Sequence, residues 1–217
     1  MISLLLMHTV FAGSKVSLSG QYLPFPGVTV ISMVADRSFC NELHDALAKH
    51  ADLLDYMALL PADSYHMTTL NLFVEDQTEG EGLAAFLRRR TEVLFKPLGA
   101  YIEKNGFSPR GKIVGVTDYG NMLKIQLPEM QAQTLQHSAV RFHLDSKLPG
   151  SWHVTLGYYY RELTEAQRVH FYSIVRTELE ALLVKRRSRQ CDFTRPHLTS
   201  FQDMTAYSLW DGETSPF

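Results

Sequence analysis

The sequence predicts an α+β fold, with helices and strands mixed in both halves of the chain. β-branched and aromatic runs bounded by proline and glycine are typical of strands, and apolar residues at helical spacing recur between these runs. The 217 residues are 45% hydrophobic and 20% charged, as in globular proteins that bury a full core. One large domain or two small, closely packed domains would fit this length.

The first half of the chain begins with a strand and a helix. Turn-forming residues 21–27 precede the β-branched run 28–34, which predicts a buried strand. Residues 36–38 offer caps for a helix, and a second apolar cluster lies near 53–60. The aromatic and β-branched run 64–72 predicts the next strand.

A long amphipathic helix is predicted from Glu79 to Lys104, with Pro97 as the position of a kink or a split. Its apolar residues are expected to face the core and its three consecutive arginines to face solvent. The inward set is Leu83, Phe86, Leu87, Leu94 and Leu98, and the outward set is Arg88, Arg89 and Arg90.

The second half contains a hairpin, two helices and further strands. The pair Gly120-Asn121 between the runs 112–119 and 122–127 predicts a two-residue hairpin turn. Pro128 begins a helix through about Asp145, a capping box at 164–167 begins another to about Lys185, and 191–209 alternates like two short strands. The apolar residues expected on the helices are Met130, Leu135, Val140 and Leu144, then Val169, Tyr172, Val175, Leu179 and Leu182.

Two strands carry the same His-x-Thr pattern. His66 and Thr68 lie in the first, and His153 and Thr155 lie in the run from Ser151 to Tyr160. Side chains two residues apart on a strand share a face, so each strand displays an imidazole beside a hydroxyl. One imidazole can accept a proton while the other donates one, and the hydroxyls can donate hydrogen bonds to an oxyanion. This set of groups suits attack on a phosphodiester without a metal ion.

The paired motifs resemble the signature of the 2H phosphoesterase superfamily, which includes cyclic phosphodiesterases of tRNA splicing, 2′-5′ RNA ligase-like proteins and 2′-5′ oligoadenylate phosphodiesterases. Residues 24–30 and 60–68 are similar to its DUF1868 branch. The resemblance implies a bilobal α+β fold with a pseudo-twofold axis, in which antiparallel sheets with flanking helices surround a central cleft. Residues 1–19 would then be an N-terminal extension, and residues 20–217 a single domain.

The function expected from the motifs and the resemblance is that of a hydrolase, a metal-independent phosphodiesterase. Its substrate would be a nucleotide or an RNA end with a 2′,3′-cyclic phosphate or a 2′-5′ linkage. His66 and His153 would be the general acid and base, in an order that the sequence leaves open, and Thr68 and Thr155 would bind the non-bridging phosphate oxygens. No cofactor is expected. The alternative is a catalytically silent module that binds a nucleotide or an RNA terminus.

Other interpretations of these histidines are less favoured. A single histidine beside a strand threonine is more often a packed core residue, but two motifs in matching contexts favour an active site. A metal site needs three or four converging ligands, and neither motif strand supplies a nearby Asp, Glu or Cys. A third tripeptide, His197 to Thr199, follows Pro196, which donates no ladder hydrogen bond, so we expect a structural or surface role for His197.

An aromatic ring at the cleft mouth can stack on a nucleobase. Tyr159 shares a face with His153 if the second motif strand is regular, and Phe25 lies in the turn before the first strand. We therefore predict Tyr159 and Phe25 as substrate-binding residues, with Tyr22 as a further candidate. The competing interpretation is that the neighbouring tyrosines only pack the strand against the core; these are Tyr158, Tyr159 and Tyr160.

Composition limits the partners and the compartment. The formal net charge of -2 gives no basic footprint for duplex DNA, so a small substrate or one bound at its end is expected. Cys40 and Cys191 lie far apart with no CxxC, which predicts neither a disulfide framework nor a structural zinc site and favours a reducing cytoplasm. We expect a monomer.

Two further segments each have an alternative interpretation, the N-terminal residues 1–13 and the basic run 185–189. The apolar residues 1–13 lack a positively charged leader and are too short to span a bilayer, so we expect an extra strand or a surface segment rather than a signal peptide, and no membrane contact. The basic run 185–189 is expected to be the solvated last turn of a helix rather than a phosphate site.

Overall fold

The computed structural model describes residues 15–78 and 80–217, which form an eight-stranded sheet, a two-stranded sheet and six α-helices. The strands in chain order are β1 (Gly27–Met33), β2 (Met57–Leu59), β3 (His66–Val74), β4 (Arg110–Val116), β5 (Met122–Gln126), β6 (His153–Thr155), β7 (Gly157–Tyr159), β8 (Gln190–Asp192), β9 (His197–Phe201) and β10 (Ser208–Leu209). The helices are α1 (Arg37–Leu47), α2 (Ala51–Leu54), α3 (Leu83–Arg90), α4 (Lys96–Asn105), α5 (Glu129–Arg141) and α6 (Glu165–Arg186).

The large sheet runs in the order β10-β9-β1-β3-β6-β5-β4-β8, and the small sheet pairs β2 with β7. All of these ladders are antiparallel. The predicted α+β class, with antiparallel sheets and helices, is therefore confirmed. The strands that carry the two motifs, β3 and β6, are neighbours near the middle of the large sheet.

Two hydrophobic clusters hold the helices on the sheet. One packs buried residues of α1 and α6 with the inner residues of β4, β5 and β6. The other packs α3 and α4 with β1 and β9. Among the residues that the structure describes, no helix has the length and apolar composition needed to cross a membrane.

The first strand and helix lie where the sequence predicts them. β1 begins and ends within one residue of the predicted run, and Asp36 caps α1 because its side chain accepts a hydrogen bond of 2.9 Å from the Phe39 amide. Phe39, Leu43 and Leu47 are all buried, as their helical spacing indicates.

The predicted long helix is divided into α3, a π-helix at Thr91–Phe95, and α4, while Glu79 lies outside the described residues. Pro97 sits in the first turn of α4, directly after the π-helical stretch, so the predicted interruption near Pro97 is confirmed. Arg90 does not face solvent as predicted. It is half-buried, with its guanidinium 3.9 Å from the centre of the Phe86 ring.

The hairpin of β4 and β5 is confirmed, but its turn is longer than the predicted two residues. The Thr117 amide donates to the Met122 carbonyl, and the Gly120 amide donates to the Thr117 carbonyl, so residues 117–121 make the connection. Gly120 takes a positive φ of 74° there, which favours glycine.

Helix α5 differs from its prediction in length and in the face it buries. It ends at Arg141 rather than near Asp145. Met130 and Val140 are 78% and 52% exposed, so these two apolar residues of the helix do not face the core. The helix buries Leu135 and Ala139 fully, and Ala132 packs partly buried against the core.

Helix α6 begins with the predicted capping box of Thr164 and Gln167. Its buried residues are Phe171, Val175, Leu179 and Leu183, whereas Val169 is exposed. Beyond it lie three short strands, β8, β9 and β10, instead of the predicted two. The basic run at its end is paired with carboxylates, in the ion pairs Lys185–Glu42, Arg186–Asp36 and Arg189–Glu180.

The start of the described chain is a small hairpin. The Leu23 amide donates to the Lys15 carbonyl at 2.9 Å, and Val16 and Tyr22 form an antiparallel bridge. Residues 15–19, expected to belong to an extension, are thus paired with residues of the predicted domain. Residues 1–14, and the predictions made for them, lie outside the described part of the chain.

Candidate active site

The two motif strands meet through one residue pair. Met67 of β3 faces Val154 of β6 in the antiparallel ladder, and both side chains are fully buried in the same core cluster. In antiparallel register, the pairing of these central residues places His66 across from Thr155. It also places Thr68 across from His153.

The four flanking side chains project from the opposite face of the sheet. Because neighbouring residues of a strand point to opposite faces, burial of Met67 and Val154 directs the motif histidines and threonines away from the core. All four line one cavity of about 300 Å³. Diagonal neighbours in such a pair lie about 7–8 Å apart, so a single phosphate group can reach both imidazoles.

A bulged stretch of β3 brings another polar residue to the same cavity. Between Thr68 and Phe73, β3 has two more residues than the paired segment of β1, from Ile31 to Val28. The extra residues interrupt the alternation of faces, so Asn71, which regular alternation from His66 would place on the core side, lines the cavity. A regular strand would not bring Asn71 to the cavity, so the sequence alone does not predict Asn71 as a site residue.

Both imidazoles are held in the same way. The Nδ1 atom of His66 lies 2.6 Å from the Ser64 carbonyl oxygen, and that of His153 lies 2.9 Å from the Ser151 carbonyl oxygen. A carbonyl oxygen can only accept, so each Nδ1 carries a proton. The Nε2 atom of each ring is then left to accept or donate a proton in the cavity.

The surroundings of the two rings differ. His66 is only 9% exposed, whereas His153 is half-buried. Burial lowers the pKa of His66 from 6.5 to about 4; the hydrogen bond to Ser64 opposes this shift, and the charges of His153 and Lys15 add to it. The edge of the Tyr207 ring packs on the His66 ring with a centroid distance of 4.3 Å. His66 is therefore neutral at physiological pH.

Aromatic rings line one side of the cavity. Phe25, predicted as a substrate-binding residue, is among the lining residues and stacks on Phe201 with a centroid distance of 6.4 Å. Tyr158 also lines the cavity, and its hydroxyl interacts with the Thr155 side chain. Tyr22, the further candidate, packs edge-on against Tyr158 and donates its hydroxyl proton to the Ala58 carbonyl.

The prediction that Tyr159 faces the cavity is wrong, because the run from Ser151 to Tyr160 is not one regular strand. β6 belongs to the large sheet and β7 to the small one, and the chain changes sheets at Leu156. Tyr159 is 8% exposed, its hydroxyl donates to the Tyr119 carbonyl at 2.7 Å, and its ring stacks on Phe171. The break inverts the alternation of faces, so Tyr158 takes the place predicted for Tyr159.

The cavity also contains a residue that the sequence analysis assigned to an extension. Lys15 lines the cavity, and its Nζ atom lies 5.0 Å from the Phe25 ring centre and 4.9 Å from that of Tyr158. The Ser19-Gly20 pair between Val16 and Tyr22 was a signal for the hairpin that carries it. The sequence has no signal that this hairpin packs beside the histidines.

The third His-x-Thr tripeptide lies elsewhere. His197 begins β9 and is exposed, and it does not line the cavity of His66 and His153. Thr199 is buried and donates its hydroxyl proton to the Thr29 carbonyl at 3.2 Å. Within the described residues, no group of three or more His, Cys, Asp or Glu side chains is placed to hold a metal ion.

A protein-family model matches the first part of the chain. The family model 2H-phosphodiest, described as a domain of unknown function (DUF1868), matches residues 15–93. The predicted resemblance to this branch is thus confirmed, and the matched segment contains Lys15, His66 and Thr68. No curated protein sequence matches the chain.

Several solved structures are similar to this chain. A conserved protein of unknown function from Agrobacterium tumefaciens, ATU0111, has a TM-score of 0.65 with 17% identity over 91% of this chain and 90% of its own. Kluyveromyces marxianus Usb1 with uridine monophosphate has a TM-score of 0.43 with 11% identity, covering 83% of this chain and 95% of Usb1. Escherichia coli LigT with NADP+ has a TM-score of 0.43 with 15% identity, covering 86% of this chain and 95% of LigT.

Proposed function

We propose that this protein is a metal-independent phosphodiesterase that acts on a nucleotide or on an RNA end, at a 2′,3′-cyclic phosphate or a 2′-5′ linkage. The observation that carries the proposal is the Met67–Val154 pair, which brings both His-x-Thr motifs to one cavity. Two imidazoles with free Nε2 atoms, placed across a space that fits a phosphate, are the groups that acid and base catalysis needs.

The burial of His66 decides the order of proton transfer in this proposal. Neutral His66 is the base, and its Nε2 accepts the proton of the attacking water or ribose hydroxyl as the new P–O bond forms. Protonated His153 is the acid, and its Nε2–H donates to the ribose oxygen as the bond from phosphorus to that oxygen breaks. The products are a phosphomonoester and a free hydroxyl when water attacks, and solvent exchange restores the two protonation states.

The threonines would stabilise the charge that builds on the phosphate. Thr68 and Thr155 lie across the strand pair from His153 and His66, so each hydroxyl flanks the phosphate from the side of the opposite imidazole. A hydroxyl aimed at the developing oxyanion stabilises the transition state more than the ground state. We also propose that the two motif strands are related by a pseudo-twofold axis through the Met67–Val154 pair, since both histidines make the same Nδ1 hydrogen bond.

The size of the cavity supports a small substrate. A volume of about 300 Å³ is at the lower end of the ~300–1,000 Å³ typical of ligand pockets. One nucleotide, or the terminal nucleotide of an RNA, suits this space better than a longer stretch of polymer.

A second function is favoured by the same burial of His66. A pKa of about 4 makes this imidazole a weak base in the unliganded protein. A module that binds a nucleotide or an RNA terminus and releases it unchanged does not require a stronger base than this imidazole.

The two functions are separated by a panel of 2′,3′-cyclic nucleotides, ADP-ribose cyclic phosphate, 2′-5′ oligoadenylates and cyclic dinucleotides. Each compound is incubated with the metal-depleted protein, and both binding and products are measured. Conversion of a member of the panel to a phosphomonoester in the presence of a chelator supports the phosphodiesterase. Tight binding of a compound that emerges unaltered supports the binding module. If no compound of the panel is bound or converted, both proposed functions are overturned.

A further inference from the structure

Among the described residues, a single fixed charge lines the candidate cavity. Its lining consists otherwise of histidine, threonine, asparagine, glutamine and methionine side chains with aliphatic and aromatic groups. Among the described residues that line it, Lys15 is the only Lys, Arg, Asp or Glu. A phosphodiester is an anion, and the charge on its oxygens increases in the transition state. A fixed cation in this cavity would therefore attract the substrate and stabilise the transition state.

Lys15 is held at the cavity by its hairpin and by two aromatic rings. The hairpin is closed by the bond from the Leu23 amide to the Lys15 carbonyl. It is joined to β2 by the Tyr22 hydroxyl, which donates to the Ala58 carbonyl at 2.9 Å. The ammonium lies about equally far from the Phe25 and Tyr158 rings, at 5.0 and 4.9 Å. Contact with two aromatic rings holds the ammonium in place without neutralising its charge.

The charge of Lys15 has no carboxylate partner within residues 15–78 and 80–217. Other lysines of the protein form ion pairs, as Lys185 does with Glu42 and Lys124 with Asp118. Lys15 is partly removed from water, and this burial lowers its pKa below the ordinary 10.5. A desolvated, unpaired cation is costly, and an anionic ligand is the group that would offset the cost.

The position of Lys15 relates it to the reacting groups. Its charge acts on His66, whose pKa it lowers. Its ammonium also lies over the ring of Tyr158, whose hydroxyl interacts with the Thr155 side chain. The ammonium is thus on the side of the cavity where Thr155 faces His66.

We propose that Lys15 is a phosphate-binding residue, whose ammonium binds a non-bridging oxygen of the substrate phosphate beside Thr155. This inference rests on the proposed function, which identifies the reacting group as a phosphate. Binding of a phosphate anion can nevertheless be measured without turnover. It assigns a role to a residue that precedes both His-x-Thr motifs by about fifty positions or more in the sequence.

The test is calorimetric binding of inorganic phosphate and adenosine 3′-monophosphate, with uncharged adenosine as the matched ligand. The variants are Lys15→Met, which keeps an apolar stem, and Lys15→Arg, which keeps the charge. Lys49→Met is the control, because it removes the same charge from an exposed position outside the cavity. Circular dichroism and thermal unfolding establish that each variant is folded.

Lys15→Met is expected to weaken binding of both anions by about tenfold to a hundredfold, the range of a charge-assisted hydrogen bond, and to leave adenosine binding unchanged. Lys15→Arg should restore most of the affinity. An NMR titration of His66 gives a second readout, because removal of the nearby charge raises the pKa of His66 in Lys15→Met but not in Lys15→Arg.

Equal anion affinity in folded Lys15→Met and wild type would overturn the inference, and so would a wild-type protein that binds neither anion. Lys15-dependent anion binding in a protein that turns over no substrate of the panel would uphold the inference and overturn the proposed phosphodiesterase.

Discussion

Met67 and Val154 face each other across the β3–β6 ladder, although 86 residues separate them in the sequence. Both side chains are fully buried, so the pair is a packing contact with no polar role of its own. The pair matters for the chemistry because its register determines which motif residues face each other across the two strands. The imidazole of each motif faces the threonine of the other, and the proposed chemistry depends on this crossed arrangement.

The hydroxyls of the crossed arrangement can be removed without changing side-chain size. In Thr68→Val and Thr155→Val, we expect kcat to fall by about 10²–10³ for each variant, the range for loss of one oxyanion donor, with little change in KM. Steady-state kinetics on a cyclic phosphodiester that the protein cleaves measures both constants. A rise in KM at constant kcat would show that the hydroxyls bind substrate and transition state equally, contrary to this assignment.

Nucleobase stacking is expected from Tyr158 rather than Tyr159. Tyr158→Leu should raise KM by about tenfold to a hundredfold, since stacking on an aromatic ring contributes ~1–3 kcal/mol. Tyr159→Leu should leave KM nearly unchanged and lower the free energy of unfolding, because this ring packs on Phe171. The pair of variants is compared by kinetics and by urea unfolding. The reverse pattern, with KM raised only by Tyr159→Leu, would restore the prediction made from a regular strand.

Tyr207 is expected to position and desolvate His66 through its ring. Tyr207→Ala should open His66 to water and move the pKa of His66 upward from about 4 toward 6.5, whereas Tyr207→Phe should leave it low. The measurement is an NMR titration of the histidine ring in folded protein of each variant. A pKa near 4 in Tyr207→Ala would mean that this contact does not cause the shift.

Burial of neutral His66 also makes stability depend on pH. The pKa of His66 is about 4 in the folded protein and 6.5 in the unfolded chain, so between these values the unfolded state binds more protons. This contribution is fully present above about pH 6.5 and is lost as the pH falls toward 4, by at most about 3 kcal/mol. His66→Asn, which can keep a donor for the Ser64 carbonyl, should lose less stability than wild type between pH 7.5 and 4.5 in urea unfolding. An equal loss in both proteins would contradict the assigned shift.

Local patterns in the sequence were sufficient for much of the fold and for the four motif residues. The cap at Asp36, the capping box at Thr164 and the spacing of the motif residues each depend on neighbours within a few positions, which a single sequence displays. The proximity of the two motifs followed from the family resemblance. Their register through Met67 and Val154 is a long-range pairing that only the structure shows.

The residues that were missed or misplaced share a physical cause. Asn71 and Tyr158 each follow an irregularity, a bulged stretch in one case and a change of sheet in the other, and either one inverts the alternation of faces. Lys15 reaches the cavity through the packing of its hairpin against distant strands. Such packing leaves no periodic signal in the sequence.

The account depends most directly on the two imidazoles, and turnover by single variants tests them. His66→Ala and His153→Ala are compared with His197→Ala, a matched change in the tripeptide outside the cavity, using a cyclic phosphodiester that the wild type cleaves and folded protein in each case. We predict that each cavity variant loses about 10²–10⁴ of kcat, the contribution of a general acid or base, and that His197→Ala keeps full activity. Full activity in either His66→Ala or His153→Ala would contradict the account.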